Sequence, residues 1–217
     1  MKALGTLLVA SMALAGCAVG EGEGAVKSDR LYVEDCWNGM FDLKPDFFAA
    51  NPYGDRSLMI RVQRGDNIEE QSDGLLVLVN KLQAVRKQLS ESAAGELTLK
   101  VGLPPSVTPP GVPIVADPDP PLVSLAVYLQ KSCHAQNSTI YSTSGSITFR
   151  SLFSGDLEET DAEERLTDAS FEATFADPRL LTPSSTHDAP EGVDVESQVS
   201  GYFRFYFQRG QPAQPFQ

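Results

Sequence analysis

The feature that most constrains the fold is the alternation of apolar and polar residues in short segments. Such alternation places one set of side chains in a core and the other on the surface of a β-sheet. It is clearest in residues 199–208, which are therefore predicted to form a core strand. The odd-numbered positions of that segment include Val199, Phe203, Phe205 and Phe207, which would share one face of the strand. The even-numbered positions, on the other face, are Ser200, Tyr202, Arg204, Tyr206 and Gln208.

Glycine and proline divide the chain into short pieces, because the sequence contains 17 glycines and 15 prolines. Residues 81–92 are predicted to form a helix, since Leu82, Val85 and Leu89 share one helical face. Residues 40–55 show no periodicity and are predicted to be an irregular loop or a short helical turn. Strands are predicted, besides 199–208, at 31–37, 56–64, 75–80, 97–101, 123–133, 147–150 and 171–175.

About eight mostly alternating strands and one short helix indicate an all-β protein, an antiparallel β-sandwich of immunoglobulin-like or jelly-roll-like kind. The immunoglobulin pattern itself does not match, because Trp37 directly follows Cys36. We expect a single domain over residues 31–210, followed by a C-terminal tail at 211–217. Eight prolines make 103–121 a surface excursion from that domain.

The N-terminus has the pattern of an export signal. A short positive start, Met1 and Lys2, precedes an apolar run that is too short to span a bilayer as a permanent helix. Small residues then lead up to a cysteine, in the order Leu14, Ala15, Gly16 and Cys17.

These last four residues resemble the lipobox of bacterial lipoprotein precursors. The resemblance implies that residues 1–17 form a lipoprotein signal peptide region, and that Cys17 becomes an acylated first residue carrying diacylglycerol and palmitate. Ala18 follows the cysteine where an inner-membrane protein of enteric bacteria would carry Asp, which favours the outer membrane of a Gram-negative host. Residues 18–30 are predicted to be a flexible tether. The alternative is an ordinary secretory signal, with Cys17 a plain thiol.

The number of cysteines also bears on the compartment. If Cys17 carries lipid, Cys36 and Cys133 remain as an even pair that can form a disulfide after export. The alternative is two separately buried thiols.

The charge of the chain limits its partners. A formal net charge of −12 makes nucleic acid and an anionic bilayer surface poor candidates. Attachment to a membrane is therefore expected through the N-terminal lipid alone.

An acidic segment is the candidate metal site. Its carboxylates could hold a structural calcium ion, although their spacing lacks the EF-hand pattern. The alternative is a solvated loop, and no other cofactor is expected. The candidate ligands are Asp156, Glu158, Glu159 and Asp161.

The residues that could support catalysis are few. Only two histidines are present, His134 and His187, and neighbours such as Cys133 and His134 point to opposite faces of a strand. Residues 184–188 hold Ser184, Ser185, His187 and Asp188, but no nucleophile-elbow motif accompanies them. We therefore expect a protein that is not an enzyme.

Two tyrosines give the candidate binding surface. If the phenylalanines of 199–208 face the core, then Tyr202, Arg204 and Tyr206 form a row on the outer face. Such a row can stack on a sugar ring or form the centre of a protein contact. The alternative is cross-strand packing that only covers the sheet.

Together these features predict a lipid-anchored lipoprotein of the cell envelope that acts as a non-enzymatic structural or binding module. Its partner would be an envelope protein or a glycan. The alternatives are a calcium-dependent carbohydrate-binding or adhesin-like domain, and a hydrolase whose site the sequence does not reveal.

Overall fold

The computed structural model describes residues 22–53, 56–65, 72–104, 107, 120–133, 138–180 and 194–208. Its elements are mainly β-strands, with two short α-helices and one turn of 3₁₀-helix at Pro178–Leu180. The strands of the first half are β1 (Gly22–Val33), β2 (Trp37–Leu43), β3 (Phe47–Tyr53), β4 (Ser57–Arg64), β5 (Asp73–Asn80) and β6 (Leu97–Lys100). The others are β7 (Val123–Leu129), β8 (Thr139–Ser151), β9 (Leu166–Ala176) and β10 (Ser197–Tyr206), and the helices are α1 (Leu82–Ser90) and α2 (Ala162–Arg165).

The ten strands form one sheet in which neighbouring strands pair antiparallel. The order is β2, β1, β10, β9, β8, β7, β5, β4, β3, and β6 pairs with the second half of β8. Most neighbours in the sheet are also consecutive in sequence. This is the arrangement that short connections favour.

The all-β prediction is confirmed in its coarse form, but the two-sheet sandwich is not shown. The described strands belong to a single sheet that curls around the core. Phe48 of β3 stacks on Phe205 of β10, with ring centroids 5.6 Å apart, although five strands separate β3 from β10 in the sheet order. Twist accumulates over many strands and brings the two ends of one sheet together. Alternation cannot distinguish this arrangement from two stacked sheets.

The core lies on the inner face of the curl. Leu58, Ile60 and Val62 of β4 are fully buried, and so are the inward phenylalanines of β10. The predicted helix is confirmed as α1, whose buried Leu82 and Val85 cover part of this core. The strands predicted at 56–64, 75–80 and 97–101 are likewise confirmed as β4, β5 and β6.

The predicted tether is wrong from Gly22 onward, because residues 22–30 belong to β1 and pair with both β10 and β2. The glycines there make room for aromatic rings. A Cβ on Gly22 would lie 2.5 Å from Cδ2 of Phe48. The glycine-rich composition is typical of a flexible tether, but here the glycines belong to a strand against which aromatic rings pack closely.

The irregular loop predicted at 40–55 is also wrong, since most of it forms β2 and β3. Phe47 and Phe48 are consecutive and both buried, which breaks the alternation that would have indicated a strand. Pro52 lies in β3, which pairs only with β4. An edge strand tolerates proline because the missing N–H costs no ladder bond.

Cys36 and Cys133 are joined by a disulfide, the pair that is predicted if Cys17 carries lipid. Their Cα atoms are 5.4 Å apart, a usual distance for such a bond. Cys36 lies in the turn between β1 and β2, whereas Cys133 follows β7. The bond therefore joins parts of the sheet that are separated by β10, β9 and β8.

Several sequence predictions concern residues outside the described ranges. They include the signal peptide with Cys17, the start of the tether at 18–21, most of the proline-rich excursion and the tail at 211–217. Within the described ranges, α1 and α2 are both far shorter than a helix needs to be to cross a bilayer.

A buried polar contact lies on the outer side of β4, β5 and β7. The Tyr128 hydroxyl donates to Oε1 of Gln63 at 2.9 Å, and the ring covers Gly74, where a Cβ would lie 2.4 Å from the hydroxyl oxygen. Burial raises the pKa of Tyr128 well above its ordinary value of 10.0. Burial also raises the pKa of Tyr32 and of Tyr141.

These shifts predict a loss of stability at alkaline pH. Above about pH 10 the unfolded chain ionises its tyrosines while the folded chain keeps Tyr128 protonated, so the free energy of unfolding falls as the pH rises. Tyr128→Phe is expected to make this fall less steep and to cost about 1 kcal/mol at neutral pH through the lost hydrogen bond. Urea unfolding between pH 8 and 11 measures both effects. Tyr53→Phe, on an exposed ring, is the control, and equal alkaline slopes for the two variants would contradict the prediction.

Candidate functional site

The alternation in β10 separates a buried side from an exposed side, as the sequence predicts. Phe203 and Phe205 are buried, whereas Tyr202 is 48% exposed and Tyr206 is 39% exposed. The side chain of Arg204 between them is also half exposed. The predicted row of Tyr202, Arg204 and Tyr206 therefore lies on the outer surface of the sheet.

This row belongs to a larger surface, which we call the tyrosine face. It consists of the outward residues that surround Tyr202, Arg204 and Tyr206 on β6, β8, β9, β10 and the start of β1, together with Glu96, which directly precedes β6. Its members are Glu23, Ala25, Lys27, Glu96, Thr98, Lys100, Ser146, Thr148, Arg150, Leu166, Asp168, Ser170, Glu172, Ser200, Tyr202, Arg204 and Tyr206.

A line of alternating charges crosses the tyrosine face. Arg150 lies between two carboxylates, with Nη1 3.3 Å from Oδ1 of Asp168 and Nε 3.9 Å from Oε2 of Glu96. Nε of Arg204 is 3.8 Å from Oδ2 of the same Asp168, and Glu23 of β1 is the register partner of Arg204. Exposed ion pairs of this kind stabilise a fold by roughly 1 kcal/mol or less. Their main effect is to hold donors and acceptors side by side at the surface.

A line of hydroxyl groups runs beside the charges. Oγ1 of Thr98 is 2.8 Å from Oγ1 of Thr148. Thr148 is the register partner of Ser170, and Ser170 is the register partner of Tyr202. Because paired strands are about 4.8 Å apart, these four hydroxyl-bearing residues form a regular row across four strands.

The line of charges ends at a shallow cleft of about 360 Å³. The cleft is lined by Gly22, Glu23, Arg204, Phe205 and Tyr206, so two of the three predicted binding residues contribute to it. Gly22 is exposed, and the backbone at the start of β1 lines the cleft together with Tyr206. The cleft is a concave point beside the tyrosine face.

Sequence reasoning missed the charged and hydroxyl neighbours of the tyrosines. The alternation around Phe171 indicates which residues of that strand face outward, namely Asp168, Ser170 and Glu172. It does not indicate which strand lies beside β10, or in which register. Arg150 and Glu96 are 54 and 108 positions away from Arg204 in the sequence, so only the pairing of the strands brings them into one line.

The carboxylates of the acidic segment mostly accept hydrogen bonds from nearby backbone. Asp156 accepts from the Glu158 amide and Glu159 accepts from the Asp161 amide, each at 2.9 Å. Asp161 caps the start of α2, and Glu164 pairs with Arg86 of α1. Among the described residues, no three His, Cys, Asp or Glu side chains form a group that could hold a metal ion.

A second charged cluster joins the 3₁₀ turn after β9 to the end of β1. Nε of Arg179 is 3.0 Å from both carboxylate oxygens of the buried Asp177, and Nη2 is 3.2 Å from Oε2 of Glu34. The hydrogen bond to Asp177 raises the pKa of the Arg179 guanidinium above its ordinary value. Because each of the three charges has an opposite partner, the cluster is explained by its role in holding two chain segments together.

A larger cleft of about 530 Å³ lies beside the start of α1, and Arg56 and Lys81 contribute its cationic side chains. Its amide side chains are already engaged. Asn80 donates to the carbonyl of Pro121 at 3.2 Å and Gln83 donates to that of Ser154 at 3.3 Å. We assign no ligand to this cleft.

The residues considered for catalysis fall outside the described ranges. They are His134, Ser184, Ser185, His187 and Asp188. Comparisons with protein-family models, with curated proteins and with solved structures found no match for the chain.

Proposed function

We propose that this chain is a lipid-anchored, non-enzymatic module of a bacterial cell envelope that binds an envelope partner through the tyrosine face. The lipid would be attached at Cys17, and the residue after it, Ala18, favours the outer membrane. The Cys36–Cys133 disulfide supports an exported protein, because such bonds persist mainly in oxidising compartments.

The observation that carries the binding role is the exposure of Tyr202 and Tyr206 on a sheet face that is mostly polar. Both rings are about half accessible, whereas the phenylalanines of the same strand are buried. Tyrosine and arginine are enriched among the residues that contribute most to binding. They combine a large rigid contact area with groups that can form hydrogen bonds.

The position of β1 determines how such a module would sit on a membrane. β1 begins at Gly22, five residues after Cys17. Five residues span at most about 18 Å when fully extended. A lipid on Cys17 would therefore hold the domain close to the bilayer, with the start of β1 and its cleft at the membrane-proximal end.

The anchor is tested by Cys17→Ser in the full-length precursor. We expect labelled palmitate to enter the unaltered protein and to be absent from the variant, which should move from the membrane fraction to the soluble fraction. Ser11→Ala, also within the signal region, is the matched control and should remain labelled. An unaltered protein that takes up no palmitate would exclude the anchor.

The binding face is tested by the double variant Tyr202→Ser/Tyr206→Ser. The immobilised variant should keep its melting temperature within a few degrees but retain far less material from solubilised envelope than the unaltered protein. Tyr53→Ser removes an exposed tyrosine of β3 that lies outside the face, and it should retain as much as the unaltered protein. Equal retention by all three proteins would exclude a binding role for the face.

A further inference from the structure

We infer that the ligand of the tyrosine face is an uncharged glycan chain, an assignment that rests on the binding role proposed above. The face combines three features that suit such a polymer. It has no net charge, it has fixed hydrogen-bonding pairs, and it has two aromatic platforms on one strand.

The charges of the face cancel, although the chain as a whole has a formal net charge of −12. Its cationic residues are Lys27, Lys100, Arg150 and Arg204. Its anionic residues are Glu23, Glu96, Asp168 and Glu172. A surface that selects a charged polymer carries an excess of the opposite charge. The balance here favours a neutral ligand.

The ion pairs of the face suit a ligand that is rich in hydroxyl groups. Arg150 and Arg204 both contact Asp168, which places guanidinium donors next to carboxylate acceptors. A sugar hydroxyl donates one hydrogen bond and accepts others, so it can use both members of such a pair. The hydroxyl row of Thr98, Thr148 and Ser170 adds groups of the same kind beside Tyr202.

The tyrosines suit a linear chain of rings. Tyr202 and Tyr206 are four residues apart on one strand, which separates them by about 13 Å on the same side of the sheet. Two half-exposed rings at this spacing can stack on sugar rings that are not adjacent in the chain, while Arg204 contacts the part between them. The tyrosine face can therefore contact an extended polymer along β10.

A protein partner fits this face less well. The centre of a protein interface is usually apolar and depleted of charge. The other large apolar side chains that are exposed in the described ranges, Met40, Tyr53 and Leu157, all lie outside the face. Instead, the line of alternating charges crosses β10 at Arg204, between the two tyrosines.

The experiment uses the immobilised lipoprotein and solubilised envelope of the source bacterium as the probe. One portion of the extract is oxidised with periodate, which cleaves sugars at vicinal hydroxyls, and another is digested with proteinase K. We expect periodate to abolish retention, and we expect digestion to leave it intact. Retention should also persist in about 1 M sodium chloride, where the screening length is about 3 Å, because no net charge is involved.

Substitutions of Tyr202 and Tyr206 test whether retention of the glycan depends on the two rings. Tyr202→Ser and Tyr206→Ser should each raise the amount of extract needed for half-saturation by about tenfold. Tyr202→Phe and Tyr206→Phe keep the stacking surface and should recover most of the retention. Retention that survives periodate, or that digestion removes, would overturn the glycan assignment and leave the binding role in place. An untreated extract from which nothing is retained would instead exclude the binding role itself.

Discussion

Removing the Cys36–Cys133 disulfide is expected to lower the free energy of unfolding by about 4 to 5 kcal/mol. The bond closes a loop with a sequence separation of 97 residues. In the chain-entropy model, closing a loop of this length lowers the entropy of the unfolded chain and so raises its free energy by that amount. The effect should be large because a free energy of unfolding of about 5 to 15 kcal/mol is usual for a domain.

Urea unfolding of the protein with and without reductant measures the effect, with the fluorescence of the single tryptophan, Trp37, as the probe. Trp37 lies directly beside Cys36 and is partly buried against the core. Cys36→Ala/Cys133→Ala should match the reduced protein, and reductant should not affect that variant further. Identical unfolding curves for the oxidised and reduced protein would contradict the prediction, and so would free thiols on both cysteines of the purified protein.

Truncation of Phe205 is expected to cost about 3 to 5 kcal/mol, the usual range for removing a buried phenylalanine ring. Phe205 is 1% exposed and stacks on Phe48. β10 and β3 are not neighbours in the sheet, so this contact joins strands that are far apart in the strand order. Phe205→Ala therefore leaves a cavity where no strand pairing can compensate.

The next residue supplies the control for this prediction. Tyr206→Ala changes an exposed ring on the opposite face of the same strand, so it should cost about 1 kcal/mol or less. Thermal unfolding with calorimetry of both variants gives the comparison. Equal losses of stability would mean that the core does not lie on the side of β10 that the structure assigns.

The close packing at Gly22 shows that a segment with the composition of a flexible tether can be a strand when other elements pack against it. Glycine and alanine without apolar period are typical of a flexible tether. In the folded chain, the side chains of Phe48 and Phe205 occupy the space beside Gly22, so the segment is a strand of the sheet. Phe48 belongs to β3, which was itself predicted to be a loop. The two errors therefore have one origin, the contact between β3 and the sheet end formed by β1 and β10.

The sequence by itself determined the elements whose signal is local. Alternation with a period of two indicates β4, β7 and β10 and the side of β10 that is buried. The reason is that apolar side chains of a strand face the core and polar ones face the solvent. Helical spacing indicates α1, and Cys36 and Cys133 form an even pair on the condition that Cys17 carries lipid. Tertiary structure alone decided that the strands form one curled sheet, and that Arg150 and Asp168 lie beside Arg204. Strand order and register depend on contacts between residues far apart in the sequence, and a period of two is compatible with many such pairings.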